Sequence, residues 1–196
     1  VPLVFSLAAC GSSSNGNGDS KKITIGVVGN ETANQVLKDE AAKQGITIEY
    51  SEFTDYAQPN PAVDAGDNNM NRFQHIAYLA NYNVSSGKDL QIVGSTNIYP
   101  MAIFSKKHKK VDEIPQGGTI AIPNDSVNEA RALLLLKAQN LVTFKSEVHT
   151  PTHNDIDTGK SKVKVTPVDA AQTVVSLDSV DAAVINNTFL ADAGLN

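Results

Sequence analysis

Residues 22–53 read KITIGVVGNETANQVLKDEAAKQGITIEYSEF, and the order of patterns in this stretch decides the fold class. Residues 22–28 form a dense β-branched run ending at Gly29-Asn30, which reads as a buried strand and a turn. Residues 31–44 place Val36, Leu37, Ala41 and Ala42 at spacings for one helical face. They stop at Gly45, the residue type suited to a left-handed helix end. Residues 46–53 alternate as a second strand. Strand, helix, strand implies a parallel pair joined by a right-handed crossover.

The same grammar recurs downstream. Residues 90–93, 101–104, 119–122, 163–166 and 182–185 read as strands and residues 127–139 as a helix, with Pro59, Pro61, Pro115, Pro123, Pro151 and Pro167 at the joins. No repeat of fixed period is found. The fold class is therefore α/β with mainly parallel sheets, in which ligands sit beyond the carboxyl ends of strands.

With 196 residues, 41% of them hydrophobic, the chain can fill a core. Its net charge of −5 and pI near 5.3 argue against a nucleic-acid partner, whose phosphates demand a surplus of Lys and Arg. The one basic run, residues 106–110 (KKHKK), is short enough to be a solvated edge. After the first twenty residues no window approaches the ~18 apolar residues of a membrane span.

The single cysteine, Cys10, cannot form an intramolecular disulfide. It follows an apolar stretch, and Leu7-Ala8-Ala9-Cys10-Gly11 resembles a bacterial lipobox, in which the cysteine sulfur receives a diacylglycerol. The alternative is a tag carrying a chance cysteine. Residues 1–9 lack an initiator methionine and a basic leader, so they read as the tail of a clipped secretory signal. Residues 11–20 are Gly-, Ser-, Asn- and Asp-rich and cannot bury apolar surface, which makes them a leash of roughly 15–20 Å.

Two local patterns point to a site. In residues 122–136 (IPNDSVNEARALLLL), Ser126 and Glu129 have the S-x-x-E spacing of a capping box. The helix thus starts just past a strand, and its free N–H groups favour an anion near Arg131. A plain surface ion pair is the competing reading of Arg131. In residues 73–78 (FQHIAY), helical spacing would bring His75 next to Tyr78 and Phe73 next to Ala77. Such a ring-rich helix also serves as ordinary core, and His75 as a satisfied core histidine. Tyr56 adds another ring beyond the end of the second strand.

EFTDY (52–56), FQH (73–75), YPM (99–101), IAIPND (120–125), NEARALLLL (128–136) and DAAVIN (181–186), in this order behind a lipobox, resemble the methionine-binding lipoproteins of ABC importers, the MetQ or NlpA type. The resemblance implies a two-lobe periplasmic-binding-protein fold with mainly parallel sheets. It implies residues 1–10 as a partial lipoprotein signal and lipobox, 11–21 as a flexible linker, 22–100 as a first α/β lobe and 101–196 as a second. It implies capture of methionine, or a methionine-containing dipeptide, and delivery to a membrane permease driven by an ATPase. Carried over position by position, Tyr56, Phe73, His75 and Tyr78 line the ligand pocket from the first lobe. Asn128 and Arg131 come from the capped helix, with Arg131 holding the ligand carboxylate, and Asn186 binds the amino-acid backbone. Cys10 is the lipidation site, carrying palmitate-type chains at the extracytoplasmic face of a bacterial membrane. Family members run on past the position of Asn196, so the C-terminal part of the first lobe is expected to be missing and stability reduced. Arg72, the Asp- and Asn-rich residues 64–70 and residues 171–176 (AQTVVS) depart from the family pattern and leave the exact ligand open.

Two rival classes remain. An enzyme would need a nucleophile, a base and an oxyanion site, but there is no G-x-S-x-G elbow, and Gly26-Val-Val-Gly29 is not a dinucleotide fingerprint. His149-Thr-Pro-Thr-His153 has metal-like spacing, yet its proline opposes a regular helix. The expectation is no enzyme, no metal and no cofactor. The other rival is a lipid-anchored adhesin or sensor that binds a macromolecule.

Overall fold

The computed structural model describes residues 21–29, 32–190 and 194. The lipobox, Cys10 and most of the linker expected from the sequence lie outside the described residues.

The first strand and its helix form where residues 22–53 imply. β1 (Lys21–Val28) leads into α1 (Thr32–Lys43), and β2 (Ile46–Phe53) returns parallel to β1, with Ile25 opposite Tyr50 and Val28 opposite Phe53. A short α2 (Pro59–Asp64) leads to β3 (Met70–Arg72), which pairs parallel on the other side of β1. The sheet order is β2-β1-β3. Ile25, Val27 and Ile48 form its buried apolar layer, with Leu37 and Ala41 of α1 packed against it. The helical face expected from Val36, Leu37, Ala41 and Ala42 is therefore narrower than its spacing implied. Val36 and Ala42 are exposed, and buried Asn34 takes the place beside Leu37. The reason is a polar one: the Asn34 carbonyl accepts from Tyr50 Oη at 2.6 Å and its side-chain oxygen accepts from Arg72 at 2.6 Å.

Gly26 is demanded by a close approach. A Cβ there would lie 2.9 Å from the Phe53 ring and 3.1 Å from Asn68 Nδ2, closer than a packed interior tolerates.

α3 (Ile76–Ser86) ends at Gly87, whose φ of 67° supplies the left-handed cap. Residues 90–93 do not form the expected strand. Residues 88–100 contain no helix or strand, and Val93 and Ile98 are 80% and 98% exposed. The local composition favours a strand, but among the described residues no backbone pairs with it to complete a ladder, and an unpaired strand is not stable alone.

The second sheet has the order β4-β7-β5-β6. β4 (Met101–Phe104) runs antiparallel to β7 (Ala182–Asn186), while β5 (Thr119–Pro123) is parallel to both β7 and β6 (Lys164–Val168). Helices α4 (Ser126–Ala138) and α5 (Gln172–Ser176) make the crossovers. Pro167 is tolerated within β6 because that strand is an edge. Alternation along β5 and β7 sends Ile120, Ile122, Ala182 and Val184 into one core with Leu133 and Leu136 of α4. Ala121, Ala183 and Ile185 face the other way, into a cluster that also holds Val28 and Tyr56 of the first half. Both faces of the central strands are covered, as parallel sheets require.

The expected capping box is displaced by one residue. Asp125, in extended conformation, caps α4 by accepting from the Asn128 N–H at 2.9 Å. Ser126 is the first helical residue. Glu129 does not reach back to the cap, because its Oε1 accepts from the backbone N–H of His153 at 2.7 Å and lies 2.6 Å from His153 Nδ1. That contact also accounts for His153, and among the described residues no cluster suited to a metal ion is present.

Candidate functional site

In both sheets the order in which parallel strands are added reverses at a central strand. β1 sits between β2 and β3, and β5 between β7 and β6. Such switch points leave a crevice beyond the carboxyl ends of the strands. The candidate residues come from those ends: Tyr56 after β2, Phe73 and His75 after β3, Asn128 and Arg131 in the first turns after β5, and Asn186 at the end of β7.

From the first half comes an aromatic cluster. The Tyr56 ring centroid lies 5.8 Å from Phe73 and 6.0 Å from Tyr78, and Phe73 meets Tyr78 edge-on at 5.7 Å. These separations and tilts match the attractive arrangements of ring quadrupoles. Tyr78 Oη donates to the Tyr56 carbonyl at 3.0 Å. Burial, with smaller contributions from the Asp125, Asp55 and Asp169 carboxylates, pushes the Tyr78 phenol up to about 12, so it stays a donor. Phe189, 5.0 Å from Tyr56, completes the cluster and is absent from the sequence reading. The only sequence signal for it is an aromatic three residues after Asn186.

Residues 73–75 are not helical. α3 begins at Ile76, and His75 is its cap, with Nδ1 accepting from the Tyr78 N–H at 3.2 Å. The expected contact of Phe73 with Ala77 is therefore replaced by contacts with Tyr56 and Tyr78. Since Nδ1 is an acceptor, the proton of the neutral ring sits on Nε2, which faces Asn128 Oδ1 at 3.3 Å. Burial, reinforced by the Arg131 charge and opposed by the Asn128 hydrogen bond, lowers the His75 pKa from its ordinary value.

From the second half comes a hydrogen-bond knot. Asn128 Nδ2 donates to both Asp125 carboxylate oxygens, at 3.1 and 3.0 Å, which fixes the amide orientation. Its Oδ1 then accepts from an Arg131 guanidinium nitrogen at 2.7 Å and from Asn186 Nδ2 at 3.1 Å, with the His75 Nε2–H as a third donor. Among the described residues Arg131 thus hydrogen-bonds an amide oxygen and forms no ion pair with a carboxylate. One further atom stands out: Asn186 Oδ1 is buried and has no hydrogen-bond partner among the described residues. A buried carbonyl oxygen left unpaired is costly.

All seven candidate residues fall in this region. Tyr56 and Tyr78, with Asn81, Tyr82, Asp125 and Ser126, line a cavity of ≈ 220 Å³ between the halves. Phe73, His75, Asn128, Arg131 and Asn186 do not line it, and Asp125 joins the cavity to the knot. Asp125 was missed at the sequence level because Ser126, an equally good cap former, stands next to it. Chemically, a guanidinium and an open amide oxygen suit an anion and a hydrogen-bond donor placed close together, and the rings suit an apolar tail.

Comparison with known proteins gives a consistent picture. The profile of the NlpA lipoprotein family matches residues 23–196. A probable D-methionine-binding lipoprotein MetQ from Haemophilus influenzae is 39% identical over 180 residues, covering 89% of this chain and 66% of the relative. Outer membrane lipoprotein 1 of Mannheimia haemolytica is 42% identical, covering 89% and 65% respectively. The chain thus spans about two thirds of the length of these curated relatives. Among solved structures, the substrate binding protein of a methionine transporter from Streptococcus pneumoniae superposes with a TM-score of 0.83 at 40% identity, covering 89% of this chain and 72% of that one. A nutrient binding protein from Burkholderia cenocepacia, solved bound to methionine, gives 0.83 at 38% identity, covering 88% and 75%.

Proposed function

The chain belongs to the NlpA lipoprotein family, and from that membership we propose that it is the solute-capturing part of an ABC importer for methionine or a methionine-containing dipeptide. Residues 22–100 and 101–196 act as two lobes closing over the ligand, whose carboxylate meets Arg131. Its ammonium donates to Asn186 Oδ1, and its thioether lies among Tyr56, Phe73 and Tyr78. His75 and Asn128 orient these groups. Cys10 carries the lipid that holds the protein at the extracytoplasmic face, and a permease with its ATPase receives the solute. The protein performs no chemistry on it.

The observation that supports this reading is that, among the described residues, buried Asn186 Oδ1 has no partner and the Arg131 guanidinium, which shares the Asn128 oxygen with Asn186, is held by that neutral amide alone. The arrangement leaves one acceptor and one cation available, as a zwitterion needs. The energetics permit tight capture. A thioether gains about 0.3–1.5 kcal/mol from ring contact beyond roughly 1.5–3 kcal/mol for burial. At a ceiling of about −1.5 kcal/mol per heavy atom, the roughly nine atoms of methionine allow about −13 kcal/mol, which reaches the nanomolar range.

Titration calorimetry with L-methionine, D-methionine, a methionine dipeptide and alanine tests the reading. One-to-one binding of a methionine ligand, with alanine far weaker, is expected. Absence of heat with every solute would overturn it in favour of a macromolecular partner.

A further inference from the structure

Three side-chain amides from three different segments close on one another next to the residues that carry the aromatic cluster. Asn60, in α2, is 1% exposed, while Asn71 in β3 and Gln74 in the turn before α3 are half-buried. Asn60 Nδ2 donates to Gln74 Oε1 at 2.9 Å, and Gln74 Nε2 returns a bond to Asn60 Oδ1 at 2.6 Å. Asn71 Nδ2 donates to the same Asn60 oxygen at 2.8 Å and to the Pro59 carbonyl at 3.3 Å, while Gln74 Nε2 also donates to Asn71 Oδ1 at 3.0 Å. Every amide in the group both gives and receives.

An apolar trio would fill the same space without specifying direction. A closed amide group specifies it, because each member loses its partners if any one of them turns, and a half-satisfied buried network is worse than none. The direction matters here because of where the three stand. Gln74 lies between Phe73 and His75, and Asn60 lies four residues after Tyr56, at the start of the helix that the Tyr56 loop leads into. The amides therefore tie the Tyr56 loop to the corner that aims Phe73 at Tyr56 and His75 at Asn128.

We propose that Asn60, Asn71 and Gln74 are positioning residues, an amide clamp that presets the geometry of the first-lobe half of the ligand surface before the ligand arrives. The proposal rests on the amino-acid-binding reading above, since its consequence is for that ligand's affinity. Preset surfaces lose less freedom on binding, and a supporting shell left loose by a fraction of an ångström weakens the groups it holds.

The test is Gln74→Leu, which removes both halves of the reciprocal pair at similar volume. Two quantities are measured on wild type and variant, each shown to be folded by circular dichroism. One is methionine affinity by calorimetry. The other, in ligand-free protein, is the set of ¹⁵N shifts of the His75 ring, which report whether the proton stays on Nε2. The clamp predicts an affinity loss of at least about tenfold together with tautomer averaging at His75. Asn71→Ala, at the half-buried end of the group, should move both readouts in the same direction by a smaller amount, and it decides the question if Gln74→Leu does not fold. A folded variant that melts lower yet binds within about threefold of wild type and keeps a single His75 tautomer would overturn the proposal, leaving the amides a purely stabilising role. Should wild-type protein give no heat with methionine, the functional reading fails on its own, and the His75 shifts still decide the clamp.

Discussion

Removing the Arg131 side chain by Arg131→Ala separates the ligand's energetics from the fold's. Among the described residues the guanidinium donates one hydrogen bond, of 2.7 Å, to Asn128 Oδ1, which keeps Asn186 and His75 as further donors. Losing one such bond from a charged donor costs about 1.5–3 kcal/mol, and alanine's helix propensity returns a few tenths. At roughly 2–4 °C per kcal/mol for a chain of this size, the melting temperature should fall by no more than about 12 °C. Binding should suffer more. A ligand carboxylate shut into the cleft without its counter-charge costs about 3–5 kcal/mol, two to four decades in affinity. Arg131→Lys, which keeps the charge and loses the planar fork, should fall between. Calorimetry with methionine at neutral pH, alongside a thermal melt of each variant, reads both effects. A folded Arg131→Ala protein that binds within about threefold of wild type would refute the reasoning.

Three other outcomes are expected. Asn186→Leu removes a buried oxygen with no partner among the described residues together with the Nδ2 bond to Asn128 Oδ1; the relieved and the lost terms offset, so the melt without ligand should change by less than about 1 kcal/mol while methionine affinity drops by about 1–3 kcal/mol, the cost of an unpaired ammonium donor. His75 has a folded pKa below its ordinary 6.5, so between those two values the unfolded chain holds more protons. Stability should therefore be complete above the ordinary value and decline as pH falls through the lowered one, and melts of wild type and His75→Gln from about pH 7.5 to about pH 5 should converge only if His75 is the group responsible. Gly26→Ala drives a methyl to 2.9 Å from the Phe53 ring and should lower stability by about 1–3 kcal/mol, with an unchanged denaturant slope in urea titration.

Much of the architecture was legible because buried parallel strands advertise themselves. β1, β2, β5 and β7 are short β-branched or apolar runs bounded by Gly, Pro or Asn, and each was read within a residue or two. Residues 90–93 have the same composition and failed as a strand, since a strand is completed by its neighbour and not by its own side chains. The α4 cap shows the same limit at finer grain. Asp125 and Ser126 are both good cap formers, and the backbone conformation at Asp125 together with the claim of His153 on Glu129 chose between them. At the FQH turn the helical reading stays conditional in the sequence, because spacing alone cannot tell a cap residue such as His75 from a first-turn residue.

Residue order alone carries the alternation of strand and helix, the glycine and proline breaks between them, and the family resemblance that groups Tyr56, Phe73, His75, Tyr78, Asn128, Arg131 and Asn186 as candidates. Those are properties of neighbours a few residues apart, governed by local sterics and side-chain period. It takes the folded chain to bring donors as far apart as His75, Arg131 and Asn186 onto one oxygen of Asn128, to leave the Asn186 Oδ1 without a partner among the described residues, and to bond three amides to one another behind them. That convergence follows from the strand order and its switch at β1 and β5, where the ends of distant strands are brought to a common edge that no local pattern encodes.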